Sequence, residues 1–209
     1  MSRKIEKPSR KSRKNTPRPV FIIVCDGTKT EPKYFENFNK RHKPLHVKVV
    51  PGGRNYLDLI KKGNRAKSNI EGICHVWCVS DVDADPNTPN YESAKNEQLK
   101  EFSKQAQEYG FNIALSNPCF ELWYLLHFGY FTSKMPTYKS VEQKLSNPAY
   151  LPSYDKTKDY FNDLHERIED AISNATKLKK YHEDLGVSNF TAVSANPYTD
   201  VWRLVEKIN

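Results

Sequence analysis

The residues of this chain whose types and spacing suit chemistry are carboxylates at the ends of apolar runs. Asp26 follows VFIIVC (Val20 to Cys25), and Glu31 comes shortly after it. Asp81, Asp83 and Asp85 stand together in SDVDAD, at the end of the apolar run ICHVWCVS. Glu121 lies in NPCFELW. Like charges held together in a partly dry crevice repel, which raises their pKa values and costs stability unless a cation offsets them. Hard divalent cations take oxygen ligands, and Mg²⁺ commonly uses one or two carboxylates while keeping several waters. Asp26, Asp81 and Asp83 are therefore candidate ligands for Mg²⁺ or Mn²⁺. Plainer roles stand beside this. Asp85 precedes Pro86 and suits a turn, and Glu31 suits the first turn of a helix, where it complements the dipole. Glu121, between Phe120 and Leu122, is expected to be partly buried, where it either binds metal or pairs with a base such as Lys156.

These side chains need a scaffold that gathers them. Val20 to Cys25 is apolar throughout and β-branched, the mark of a strand covered on both faces. The spacing predicts a helix from Thr30 to Arg41, a strand from Leu45 to Val50 and a helix from Asn55 to Lys67. A third strand follows over Ile73 to Ser80, then a polar helix over Tyr91 to Tyr109 and a fourth strand over Phe111 to Leu115. Asn117-Pro118 reads as an N-cap with proline at the first helical position, opening a helix to Phe128. This alternation predicts an α/β fold with a parallel sheet of about four strands and helices on both faces. Right-handed crossovers then place every strand's C-terminal end on one rim, where ligands of such sheets bind.

Beyond Phe128 the pattern changes. Residues 129–156 are rich in Tyr, Pro, Ser and Lys and read as irregular. Phe161, Leu164, Ile168, Ala171, Ala175 and Leu178 recur at three- and four-residue steps, predicting one amphipathic helix from Thr157 to Leu185, stopped by Gly186. A last helix is expected from Asn196-Pro197. These C-terminal helices read as scaffold packed on a core of residues 20–130.

Other groups carry less. Cys74 and Cys78 share one face of the third strand and His75 lies on the other, which suits packing rather than zinc ligation. Cys25 and Cys119 also read as core. DGTKTE lacks the glycine-lysine-serine/threonine ending of a phosphate loop. Gly52-Gly53-Arg54 reads either as a plain turn or as a small anion-binding nest on the same rim.

The chain has 209 residues and 33 Lys and Arg against 25 Asp and Glu. The imbalance is local: residues 1–19 hold eight bases, among them Arg10, Lys11, Arg13 and Lys14, against Glu6 alone. This segment lacks the apolar surface to offset its ordering entropy and is expected to be disordered. It reads as a phosphate-contacting arm or as a solvated tail. If roughly six of its bases engaged duplex DNA, the log–log salt slope would be near −5. No apolar run approaches the roughly 18 residues that span a membrane, and no hydrophobic stretch follows the basic start as in a secretory signal. Four cysteines make no disulfide framework, so a reduced, cytoplasmic setting is expected.

Three strings together, VCDGTKTEPKYF (24–35), VWCVSDVDAD (76–85) and SNPCFELWYLLHF (116–128), resemble the RloB-like family. Tyr154 to Lys156 and NPYTDVW (196–202) extend the resemblance toward the C-terminus. That family is associated with bacterial restriction-modification and phage-defence loci and is regarded as carrying a Toprim-type domain, the fold of topoisomerases, primases and OLD-family nucleases. By position, the resemblance implies that Asp26 is the acidic residue after the first strand, that Asp81 and Asp83 are the paired aspartates after the third, and that Ser116 and Asn117 support them. The family pattern has glutamate where this chain has Asp26, one methylene shorter, and Glu31 is the candidate to restore the reach. The expectation is a Mg²⁺- or Mn²⁺-dependent nuclease, on DNA more than RNA. Asp26, Glu31 and Glu121 would be its catalytic residues, with Lys29, Lys33 and Arg54 on substrate phosphates. In the family setting a neighbouring ATPase is an expected partner. The alternatives are a non-catalytic nucleic-acid-binding subunit of such an ATPase, motivated by Asp26, and a small-molecule phosphotransfer or nucleotide-binding α/β domain.

Overall fold

Strand β1 (Val20–Cys25) sends alternate side chains into two different cores. Phe21, Ile23 and Cys25 enter one apolar cluster, and Ile22 and Val24 enter the other. A strand buried on both faces has no polar side to show, which is why its sequence is unbroken in apolarity. The computed structural model describes residues 19–41, 46–53 and 55–209. The basic segment, with Arg10, Lys11, Arg13 and Lys14, and also Leu45 and Arg54, lie outside the described residues.

Four parallel strands, β1, β2 (His46–Val50), β3 (Cys74–Asp81) and β4 (Asn112–Asn117), form the sheet in the order β2-β1-β3-β4. A fifth, β5 (Tyr198–Thr199), joins the β4 edge antiparallel. The expected α/β fold with helices on both faces is present. The extra strand corrects the expected count: two residues are too few to show a period of two.

Helices α2 (Tyr56–Lys67) and α3 (Tyr91–Tyr109) cover one face through Leu59, Ile60, Leu99 and Phe102. Asn55 caps α2, its side chain accepting from the Asp58 N–H at 2.9 Å. The other face carries α1 (Thr30–Arg41) and α4 (Glu121–Leu126), with α7 (Ile168–Asp184) and α8 (Val201–Ile208) in the same apolar cluster. On α1, Tyr34, Phe35 and Phe38 are fully buried, the two phenylalanines each contributing about 1.5–3 kcal/mol.

Three helix expectations are corrected. Asn117 does not cap a helix: it is the last residue of β4, paired with Tyr198, and α4 begins only at Glu121. Asn196-Pro197 likewise precedes β5, and α8 begins at Val201. The peptide bonds before both prolines are cis. The single helix expected over 157–185 is broken into α6 (Phe161–Leu164), a 3₁₀ turn over His165–Arg167, and α7. The segment read as irregular contains α5 (Tyr138–Leu145), capped by Thr137, whose side chain accepts from the Ser140 N–H at 3.3 Å.

Cys25, Cys78 and Cys119 are buried and Cys74 is half-buried, all as free thiols. Among the described residues no helix is long and apolar enough to cross a membrane.

Candidate active site

The register of β1 against β3, Val24 with Cys78 and Cys25 with Val79, ends β1 two residues short of the end of β3 at Asp81. Asp26 then closes the ladder. Its N–H donates to the Val79 carbonyl at 3.1 Å, and its Oδ2 accepts from the Asp81 N–H at 3.0 Å and from the Ser80 hydroxyl. After Asp81 the chain bends along β4: Val82 N–H donates to the Ser116 carbonyl at 2.8 Å and Asp83 N–H to the Pro118 carbonyl at 3.2 Å. Asp83 holds a φ of 44°, in the left-handed region that aspartate tolerates better than most side chains.

These residues open onto a cleft of about 700 Å³. Asp26, Glu31, Asp81, Asp83 and Glu121 line it together, with Lys29 and Lys156 among the other lining residues. The convergence comes from two helix starts facing two strand ends. Glu31, in the first turn of α1, is 5% exposed and hydrogen-bonded to Asp26. Gly27 makes this possible: a methyl there would lie 2.7 Å from Glu31 Oε1. Glu121, in the first turn of α4, is 4% exposed. It is held through Oε1 by the Thr30 hydroxyl at 3.1 Å and the Tyr154 hydroxyl at 3.2 Å.

The electrostatics follow from that crowding. Burial, then the charge of Asp26, pushes the Glu31 pKa up to about 8. Burial and the neighbouring Asp26, Glu31 and Asp83 push Asp81 well above the usual carboxylate range. Asp83 is exposed as a residue, yet desolvation and then Asp26 raise its carboxyl too, against the opposing pull of Lys95 and Lys156. The Oδ1 of Asp81 is buried and makes no hydrogen bond. A buried carboxylate oxygen without a donor is costly, and a cation is the partner that satisfies it while relieving the repulsion. The five carboxylates that line the cleft offer hard oxygen donors, and such donors fit Mg²⁺ or Mn²⁺. Among the described residues no three acidic, His or Cys side chains already close into a coordination shell. Asp26 spends one oxygen on Ser80 and Asp81, so an ion here would be held by few protein ligands and by water.

Other expected site residues fall elsewhere. Lys29 is exposed and lines the cleft, whereas Lys33 does not and donates instead to the Thr157 carbonyl. Lys156 does not pair with Glu121: its Nζ lies 5.2 Å from the centroid of the Tyr138 ring. Ser116 bonds Thr199 at 2.8 Å, tying β4 to β5. Asn117 donates to the carbonyls of Val193 and Ala195 at 3.0 and 2.7 Å, and accepts from Asn196 at 2.8 Å. Both therefore hold the C-terminal segment against the sheet and do not line the cleft. Asp85 closes a turn, accepting from the Asn87 N–H at 2.9 Å. The N–H groups of Gly52 and Gly53 are not free for an anion, because they donate to the carbonyls of Gly27 and Cys25 at 3.0 and 2.9 Å.

Sequence reasoning missed Thr30, Tyr138 and Cys119 as members of the cleft, and Tyr154 as the residue that orients Glu121. Burial and then Glu121 push the Cys119 thiol well up. Tyr138 and Tyr154 come from the region read as irregular, where only Tyr154, two residues before Lys156, gave a signal.

No curated protein and no solved structure gives a significant match to the chain. The family model described as RloB-like protein matches residues 21–208, almost the whole length. The chain belongs to the RloB-like family.

Proposed function

We propose that this protein is a divalent-metal-dependent nuclease that cleaves phosphodiesters in the carboxylate cleft, with DNA as the favoured substrate. The observation that carries the reading is the buried, unpartnered Asp81 Oδ1 inside a group of mutually repelling carboxylates. Asp81 and Asp83 would hold Mg²⁺ or Mn²⁺ with Asp26 beside them. The ion supplies charge neutralisation at the transferring phosphoryl group and a more acidic bound water.

The protein's own contribution is positioning and proton handling. Glu31, whose carboxyl burial and then Asp26 push up to about 8 where no cation offsets them, stands beside Asp26 as a group that would give up or take a proton. Glu121 is fixed by Thr30 and Tyr154 and presents a second acceptor at the other helix start. Lys29 and Lys156, on the cleft walls, would take the non-bridging phosphate oxygens. The family resemblance adds a phage-defence setting and an ATPase partner to this reading.

The test is nicking of supercoiled plasmid with Mg²⁺ or Mn²⁺, alone and with a co-expressed ATPase neighbour. Wild-type protein is expected to nick, and Asp81→Ala plus Asp83→Ala to abolish it. Cleavage untouched by that double change would overturn the assignment. A second reading, a nucleic-acid-binding subunit without its own cleavage, is favoured by the engagement of Asp26 with Ser80 and Asp81. Metal-independent binding with no nicking under any of these conditions selects it.

A further inference from the structure

Beside the carboxylate cleft lies a second groove of about 210 Å³, bounded by Pro118, Pro136, Tyr138, Asp83 and Asp85. Asp83 and Tyr138 line both, so the two are contiguous. The groove is smaller than the roughly 300–1,000 Å³ of sites for whole drug-sized ligands and suits one fragment of a ligand. Two proline rings and a tyrosine give it flat apolar walls, the kind of surface on which a π-face packs. Its charge is of the opposite kind to a phosphate site, because two aspartates, Asp83 and Asp85, line it. Asp85 is held in place by the Asn87 N–H and by the side chains of Asn87 and Thr88, which donate to it. A phosphate is repelled there, whereas the amino and imino groups of a base find acceptors. The cations stand on the cleft side: Lys29 and Lys156 line the cleft and not the groove. The Lys156 Nζ, over the Tyr138 ring, marks the junction.

We infer that this groove seats the nucleobase of the nucleotide whose phosphate enters the carboxylate cleft, with Tyr138 as its stacking partner, so that the ligand is an unpaired nucleotide in a single strand or frayed end. The inference rests on the phosphodiester reading of the cleft. A base in the groove has left any duplex stack, and that extrusion costs least where the base is already unpaired.

The experiment is fluorescence anisotropy of the full chain with a labelled single-stranded oligonucleotide and with a blunt hairpin duplex. Both are measured in EDTA and again in Ca²⁺, at about 0.2 M salt to screen non-specific phosphate contacts. Wild-type protein is expected to prefer the single strand. Tyr138→Ala and Tyr138→Leu should weaken single-strand binding by about 5- to 150-fold, the range of one lost base–aromatic stack, and weaken duplex binding far less. Tyr138→Phe should bind like wild type. Leu keeps apolar bulk without a flat face, so it separates stacking from packing. Equal losses for both ligands, no loss in Tyr138→Ala, a preference for duplex, or no single-strand binding in either buffer would each overturn the proposal. Because binding is read without cleavage, stacking-dependent affinity in a protein that never nicks DNA would refute the nuclease reading alone. Nicking with affinity indifferent to Tyr138 would refute the base site alone.

Discussion

Replacing Glu31 by Gln tests the electrostatics of the cleft without adding or removing volume. Folding raises the Glu31 pKa from an ordinary carboxyl value near 4.5 to about 8. Between those values the folded state binds a proton that the unfolded state has released. Stability is therefore fully present below about pH 4.5 and falls as the pH rises toward 8. Each pH unit in that window costs up to about 1.4 kcal/mol, or on the order of 3 kcal/mol between pH 5.5 and 7.5. For a chain of this size that is a fall of roughly 6–11 °C in Tm. Gln does not titrate, and its amide can donate to Asp26 as protonated Glu31 does. It also removes a charge that raises Asp81, which acts in the same direction. Thermal unfolding in EDTA across pH 4.5–8 is expected to show the two proteins converging at the acid end and E31Q becoming the more stable toward pH 8. Saturating Mg²⁺ should flatten the wild-type curve, because a cation offsets the same repulsion. Parallel curves, or an E31Q protein less stable than wild type at pH 7.5, would refute the reasoning.

Three further outcomes follow from the geometry. Gly27→Ala places a methyl against the Glu31 carboxylate; it should lower Tm and, if the protein nicks DNA, depress nicking as strongly as Glu31→Ala does. Tyr154→Phe removes one of the two hydroxyl donors to buried Glu121 and should cost about 1–3 kcal/mol in denaturant unfolding. Asn117→Ala leaves the Val193 and Ala195 carbonyls without their donor; it should cost about 2–4 kcal/mol and increase hydrogen exchange over residues 190–200.

The core of the sheet was legible because burial on both faces leaves a plain mark. β1 and β3 are continuous apolar runs, and the carboxylates that end them fall on one rim whatever the detailed packing. The convergence of Asp26, Glu31, Asp81, Asp83 and Glu121 on one cleft therefore followed from topology. What was not legible depended on contacts distant in sequence. The Asn-Pro pairs look like helix starts, but Asn117 and Asn196 bond each other and the loop carbonyls, and no local pattern distinguishes those uses of Asn. The break before α7 was hidden because Phe161, Leu164 and Ile168 keep three- and four-residue spacing through the 3₁₀ turn. α5 buries only Val141 and Leu145, too few to show a period, and so the segment that brings Tyr138 to the cleft read as irregular. Tyr154 acts through a single hydroxyl, which leaves no pattern at all.

The central claim is that this carboxylate group takes a divalent ion. Crystals soaked in Mn²⁺ and measured for anomalous scattering test it most directly. One strong peak is expected in the cleft within about 2.0–2.4 Å of an Asp81 oxygen, completed by Asp83 or Asp26 and water. A cleft without a peak at saturating Mn²⁺, or a peak bound only by side chains outside it, would rule out a metal site among these carboxylates.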